Sequence, residues 1–472
     1  MSALIMTRRA AILNEAHALW QLAWPVLIGQ LATVGMSVAD VVMTGHLSAA
    51  DLAAVSLGAS VWSIVLVAAM GVMMAINAVV AHEIGAERHD RVPHVVRQAI
   101  WKGLGVGLAA CAVMNGATIV FDHLMLEPAV ATKASTFVHV ISIGMPAFTI
   151  YRALYGYSVS INYSKPIMVI ALGALAYNIV VNWLLIYGHW GLPQLGAVGC
   201  AVATGTGLWL TLLAKVVWIH RAPQYGDTFP FTRWEWPNKR QIYSMLKMGL
   251  PIGITYFAEV SAFGAVGLLV ARFGVVPVAA HQIALNFSSL VFMVPLSFGI
   301  ALITRVGQSL GEGDPRRARF VAWVGVGLSL VFAAVSAVCI AVFRYQIAAA
   351  YTSDPAVQEL GAHLLLFAAL FQLSDATQVA AASAIRGYKV NRPPMVIHLA
   401  AFWGFSLPVG CILGLAPGWL SLAPAVPMAA TGFWIGLVLG LTVAAVLLVW
   451  FLNRLSLRRV VAAQEMASVA GS

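Results

Sequence analysis

Twelve apolar runs alternate with short polar breaks along the chain. A membrane-spanning helix needs about 20 mostly apolar residues. The runs that meet this rule have cores at 19–44, 53–81, 99–121, 134–158, 167–187 and 195–219, then at 243–272, 277–304, 320–345, 359–385, 394–414 and 425–452. Several are longer than the bilayer demands, which predicts tilt or helical extension beyond it. The longest polar stretch between runs is 220–241. The pattern therefore predicts a lead-in at 1–15, an amino-lobe of six helices at 16–219 and an inter-lobe loop at 220–241. A carboxy-lobe of six helices at 242–453 and a tail at 454–472 follow. The fold class expected is an all-α polytopic membrane protein.

Composition agrees. Of 472 residues, 61% are hydrophobic and 9% charged. A soluble domain carries about 25% charged residues. A chain this long and apolar cannot cover its surface in water, nor stay disordered. An ordinary cytosolic enzyme is excluded. The net charge of +10 would suggest nucleic acid, but its distribution argues otherwise. Of the 27 Lys and Arg, 23 fall in the two ends and the even-numbered loops, such as Arg88, Arg91, Arg316, Arg317 and Arg458. Lys133, Arg272 and Arg344 fall in odd loops, and Arg152 lies inside a span. The positive-inside rule then puts both termini in the cytoplasm, and no nucleic-acid partner is needed. Arg8-Arg9 before an interrupted apolar run reads as a cytoplasmic lead-in, not a cleavable leader. The four Cys sit in apolar runs without metal-ligand spacing, and the twelve His form no H-E-x-x-H arrangement.

The two halves repeat. At an offset of 226, Pro25 meets Pro251, Ala53-Ala54 meets Ala279-Ala280 and Gly85 meets Gly311 without a gap. At 227, KPIMVI at 165–170 meets RPPMVI at 392–397. Six helices per half is an even number, so both halves enter the membrane the same way round. Such halves are related by an axis along the membrane normal and enclose a central cleft suited to alternating access.

Three acids lie well inside spans: Asp40, Glu259 and Asp375. An ionised group there costs about 2.5–3.5 kcal/mol on insertion scales. Each is a candidate proton or cation site facing the cleft; a snorkelling or helix-gluing role is the alternative. In the repeat they pair with Val266, Thr33 and Phe148, so each half has its own chemistry. Asn178 and Asn182 stand at i and i+4 on one helix face. Their oxygens suit a hard cation beside a carboxylate, or inter-helix hydrogen bonding. Arg152 is a candidate counter-charge, and His82 and His281 are candidate titrating groups near span ends. Phe257, Phe263 and Met293 are candidate lining for an adaptable cleft. The Walker pattern G-x-x-x-x-G-K-[ST] and the potassium filter T-V-G-Y-G are absent.

The residues also resemble a known family. The carriers are VADVVMTGH at 38–46, HQIALNFSSLVF at 281–292, GQSLGEGDP at 307–315 and RGYK at 386–389. Over roughly residues 16–455 the chain resembles the multidrug and toxic compound extrusion transporters of the NorM-type branch. The resemblance implies two pseudo-twofold-related bundles of six helices. It implies export of drugs, often organic cations, coupled to inward sodium or protons. It also implies no cofactor, a monomer and the bacterial inner membrane. By resemblance, Asp40, Asn178 and Asn182 match an amino-lobe cation site, and Glu259 and Asp375 a carboxy-lobe one; sodium at either set is left open. Gln282 and Phe263 match substrate-cleft positions, and Asp354 is a weaker carry-over. Related transporters often carry Tyr four residues before the helix-10 acid; Phe371 here loses that oxygen and shifts weight toward protons.

The expected cycle is antiport: cation binding at the acids releases a cationic drug outside, and cation loss inside restores the negative cleft. A lipid-linked precursor flippase of the same superfamily is the main rival. An ion channel is another, and a two-domain metabolite carrier a third, but GAERHDR at 85–91 fits that carrier's loop signature poorly.

Overall fold

The computed structural model describes residues 2–119, 121, 127–191, 193–416, 418 and 424–470. Among these, the regular structure is helical throughout. We number the helices by span. α1 is Ser2–Gly45, α2 runs Ala49–Met73 and on through Ala75–Gly85, and α3 is Val92–Ala117. α4 is a pair, Pro128–Ser142 and Met145–Ser160, followed by α5, Lys165–Tyr187, and α6, Ala197–Arg221. α7 is Lys239–Val270, α8 Val275–Gly311, α9 Pro315–Tyr351 and α10 Pro355–Gly387. α11 runs from Arg392 to Leu415 through a π-helical turn at Ala400–Ser406, and α12 is Ala429–Ala470.

Eleven of these are single helices long and apolar enough to cross a membrane, and the α4 pair, bent by 42°, makes the twelfth. All twelve expected runs are therefore helices. The bend has a local cause. Pro146 opens the second piece of α4 and brings no N–H for the carbonyl of Ser142, and Gly144 sits at the break. Other boundaries follow from capping. Asp314 accepts from Arg317 N at 3.0 Å with Pro315 next in line, which starts α9. Gly188, at φ +73°, ends α5 in the left-handed conformation that glycine takes without strain.

The chain forms two compact units. One holds 1–23 and 258–472, the other 24–257. This division differs from the expected lobes, because α1 and α7 each contribute to both. The reason is packing. Leu19, Leu22 and Ala23 of α1 are buried in a core with Phe298, Leu302, Ala381 and Leu448. Trp20 packs on both Phe298 and Phe332 at 5.9 Å, and Arg305 grips Glu15 with two bonds of 2.8 and 2.7 Å. In the other unit, Met245 of α7 is buried with Met73, Ile76, Leu154 and Tyr157.

Within that second unit α7 crosses α2 at backbone distance. Gly249 and Gly253 form a G-x-x-x-G face, the small-residue spacing that lets helices approach closely. A Cβ on Gly249 would stand 2.1 Å from the Val72 carbonyl oxygen, and one on Gly253 2.8 Å from that of Ala68. Buried Lys102 donates to the same Val72 carbonyl at 3.1 Å.

The loop after α6 is also held in this unit. One of its two acids, Glu235, takes Arg97 at 2.7 Å, His94 at 2.5 Å and Arg233 at 2.9 Å. The Arg97 hydrogen bond first, then that of His94, hold the Glu235 carboxyl well below its ordinary range, at about 2.

Candidate functional site

The three intramembrane acids separate into two clusters, one in each unit. The first is built on α1, α5 and α6. Asn182 Nδ2 donates to Asp40 Oδ1 at 2.6 Å, and Asn178 Nδ2 to the same oxygen at 3.2 Å. The i, i+4 spacing read from the sequence does place both amides on one carboxylate. Thr204 of α6, not singled out beforehand, donates to Asp40 Oδ2 at 3.4 Å, and the Cys200 thiol also bonds the carboxylate. Both Asn side chains are buried. Asp40 thus has hydrogen-bond donors on both oxygens, the arrangement that suits an ionised carboxylate. Asn182 Oδ1 is buried without a hydrogen-bond partner among the described residues. Arg152 is not among the groups bonded to Asp40; its guanidinium lies over the Tyr155 ring at 4.0 Å.

The second cluster is built on α7, α10 and α11. Asp375 is 1% exposed, and Glu259, half-buried on α7, lies within electrostatic reach of both Asp375 and Arg386. Asp375 Oδ1 accepts one bond, from Gln378 Nε2 at 3.0 Å, and Oδ2 accepts none among the described residues. Gln378 in turn faces His398 of α11 through its Oε1, and His398 Nδ1 meets the Pro394 carbonyl at 2.6 Å. Of these four groups the sequence had marked Asp375 alone.

The chain obeys a proton count. A carbonyl oxygen only accepts, so His398 Nδ1 carries a hydrogen, and in the neutral ring Nε2 is then a bare acceptor. An ionised Asp375 is an acceptor too. The Gln378 amide has one NH2 group and one oxygen, so it can serve only one of the two. Both ends are satisfied when His398 is an imidazolium and Asp375 ionised. They are also satisfied when the amide is reversed, His398 is neutral and Asp375 carries the proton. In either case the chain holds one proton more than the fully deprotonated pair, which leaves an acceptor facing an acceptor.

The remaining candidates lie elsewhere. Phe263 packs on Phe371 at 5.9 Å and Phe402 at 6.0 Å, and Phe371 packs on Trp434 at 6.0 Å. The wall beside Asp375 is therefore aromatic, with no hydroxyl at position 371. Gln282 is exposed on α8, Met293 half-buried, and Phe257 exposed. His281 is buried and accepts from Trp434 Nε1 at 3.1 Å. Asp354 is exposed and caps α10, accepting from Ala356 N at 2.9 Å. Among the described residues no group of three or more His, Cys, Asp or Glu could hold a metal ion.

Comparison with known proteins decides the family. The MatE family model matches residues 25–184 and 251–412. The chain belongs to the MatE family. The MatE match places Asp40, Asn178 and Asn182 in its first segment and Glu259, Asp375 and His398 in its second. Multidrug resistance protein PmpM of Pseudomonas aeruginosa is 43% identical over 464 residues, 98% of this chain and 96% of the relative. A probable multidrug resistance protein NorM of Chromobacterium violaceum is 41% identical, covering 96% of each. Multidrug resistance protein NorM of Vibrio cholerae is 39% identical, covering 92% of this chain and 94% of the relative. Among solved structures, the eukaryotic MATE transporter AtDTX14 superposes with a TM-score of 0.84 at 18% identity, covering 96% of this chain and 99% of that one. A transporter of the MOP superfamily from Pyrococcus furiosus superposes equally well, at 0.84 and 18% identity, covering 94% and 96%. At that identity the likeness shows the fold. The MatE chain is thus a multi-pass membrane protein with the expected all-helical architecture.

Proposed function

We propose that this protein is a multidrug efflux antiporter of the bacterial inner membrane, a transporter and not an enzyme, that expels organic cations in exchange for protons. Its termini are cytoplasmic and it works as a monomer. The relatives' names, multidrug resistance proteins at about two-fifths identity over nearly the whole chain, support the efflux reading. The coupling reading rests on the contrast between the two acid clusters.

Asp40 has hydrogen-bond donors for both oxygens. Asp375 has one donor among the described residues, is buried, and has a second carboxylate, Glu259, in its field. Two carboxylates in a low-dielectric site do not both ionise unassisted; they share a proton or a cation. The carboxy-lobe pair is therefore the exchange site. A proton there cancels one of the pair's two negative charges and releases a cationic drug, and loss of the proton restores the attraction. The proton count along Asp375, Gln378, His398 and Pro394 favours protons over sodium, and so does the aromatic wall at Phe371. The amino-lobe cluster, with its carboxylate exposed more than its amides, supplies a fixed negative charge that attracts cationic substrates.

The test uses purified protein in liposomes with a fluorescent organic cation and separately imposed proton and sodium gradients. A proton gradient alone should drive accumulation in the wild type, and Glu259→Gln and Asp375→Asn should abolish it. Exchange driven by sodium alone overturns the proton reading. Normal exchange in both variants overturns the carboxy-lobe assignment. Movement under neither gradient, in folded and inserted protein, moves the assignment to the flippase class.

A further inference from the structure

The segment between α6 and α7 is pinned to α3 more tightly than a connecting loop requires. Gln98 Nε2 donates to the Trp236 carbonyl at 3.1 Å, and Asn238 N donates back to Gln98 Oε1 at 2.6 Å. Trp101 Nε1 donates to the Glu235 carbonyl at 2.9 Å, and Arg97 to that of Pro230 at 2.8 Å. The upstream part is fixed as well: Tyr157 OH donates to the Thr228 carbonyl at 2.8 Å, and Tyr225 OH bonds Ser158 Oγ at 2.8 Å. The backbone from 225 to 238 thus lies still on one unit.

What this rigid segment presents outward is unusual. Trp234 and Trp236 are 72% and 78% exposed, although indole is among the costliest side chains to leave in water. They stand edge to face at 6.4 Å, and Trp101 backs Trp234 at 5.4 Å. Exposed Lys239 and Arg240 flank them, with Arg233 bonded to Glu235 at 2.9 Å and exposed Tyr243 one turn on. The acid among them, Glu235, is folded inward against Arg97 and His94, so its charge is already answered. The patch sits where the polar end of the unit meets its apolar lipid-facing surface. On α3 the large exposed apolar side chains begin at Leu108, and on α6 they end at Val217.

We infer that this aromatic and basic patch is a docking surface for anionic phospholipid headgroups. Indoles favour the headgroup level of a bilayer, where the ring is dry and its N–H is wet. Lys and Arg beside them lay their stems along the apolar surface and hold phosphate with their heads. Charge complementarity selects an anionic lipid over a zwitterionic one. The backbone pinning means the side chains are held in place before the lipid arrives, so little ordering is lost on binding. The inference is independent of the exchange chemistry proposed above.

The test is binding of defined lipid to the full chain. Protein delipidated in a non-ionic detergent is titrated with phosphatidylglycerol or phosphatidylcholine, and bound lipid is counted by native mass spectrometry. Lys239→Gln/Arg240→Gln should lower phosphatidylglycerol retention on the order of tenfold, at about one basic contact each, and leave phosphatidylcholine unchanged. Trp234→Ser/Trp236→Ser should lower retention of both lipids. Because all four side chains are exposed, the variants should keep the wild-type unfolding temperature in detergent. Equal retention of the two lipids by the wild type overturns the inference. So does undiminished phosphatidylglycerol retention in folded Lys239→Gln/Arg240→Gln, an outcome that points to a protein partner for the patch instead.

Discussion

Replacing Gln378 by leucine removes the one side chain that donates to Asp375 among the described residues, while nearly preserving volume. The 3.0 Å bond to Oδ1 is lost, and His398 Nε2 loses its partner. A hydrogen bond to a charged group contributes about 1.5–3 kcal/mol, against about 0.5–1.5 for a neutral one. The loss therefore falls mostly on the ionised form of the pair, the form that attracts a cationic drug. The difference between the two losses is about 1–1.5 kcal/mol, and at 1.4 kcal/mol per decade that is roughly a fivefold to twelvefold shift against it. Linkage carries the same factor into the drug's apparent affinity. The assay is equilibrium binding of a fluorescent organic cation to purified Gln378→Leu protein in nanodiscs at neutral pH, with thermal unfolding as the control for folding. A dissociation constant within about twofold of wild type, in folded protein, refutes the claim that Gln378 supports the charged state of Asp375.

Two other perturbations test the scaffold. Gly249→Ala drives a Cβ to 2.1 Å from the Val72 backbone oxygen, whereas Gly264→Ala on the same helix meets nothing within 4 Å. The first should destabilise the protein by about 1–3 kcal/mol and the second should not, read as unfolding temperature in detergent; equal temperatures would contradict the close α2–α7 crossing. Acid should loosen the segment after α6. Glu235 is held at about 2, below its ordinary value of 4.5, chiefly by Arg97 and then His94. A depressed carboxylate contributes stability in full above the unfolded value and loses it as pH falls through the folded one. Hydrogen exchange at 228–238, taken relative to the intrinsic rate at each pH, should therefore be flat from neutral pH to about 5 and rise between about 4.5 and 2. Glu235→Gln should raise it at neutral pH and remove the acid step.

The spans were legible because a bilayer imposes a length rule that few other environments do. Asp40 and its two Asn partners were legible for a similar reason: polar atoms stand out in apolar sequence, and i, i+4 spacing fixes a shared face. Thr204 was not, since a threonine in a Gly- and Ala-rich helix can satisfy its hydroxyl on its own backbone and carries no signal. Gln378 had one faint cue, three residues after Asp375 on the same side of α10. His398 had none, because only the packing of α11 against α10 brings it there. Asp354 stands before Pro355, and that pairing reads as a helix start; the structure gives it that capping task. The sharing of α1 and α7 between units left no trace in hydropathy. A helix that is apolar all round does not announce which neighbours it will touch, and the decisive contacts, such as Trp20 with Phe298 and Gly249 with Val72, depend on shape.

That sharing has a consequence for biosynthesis. Leu19, Leu22 and Ala23 leave the ribosome first, yet the side chains that bury them come from residues 298 and beyond. At about 5–20 residues per second, the wait is on the order of 15–55 s. For that interval the beginning of the first helix has only lipid, the translocation machinery or a chaperone for company. The segment containing Met245 is in the opposite position, since its partners Met73 and Tyr157 are already in place when it emerges. The unit made of the middle of the chain can thus be completed during synthesis, and the unit that joins the two ends must close afterwards. A nascent chain stalled shortly after α7 would hold one finished unit and one orphaned half-helix, and quality control has that half-helix to recognise.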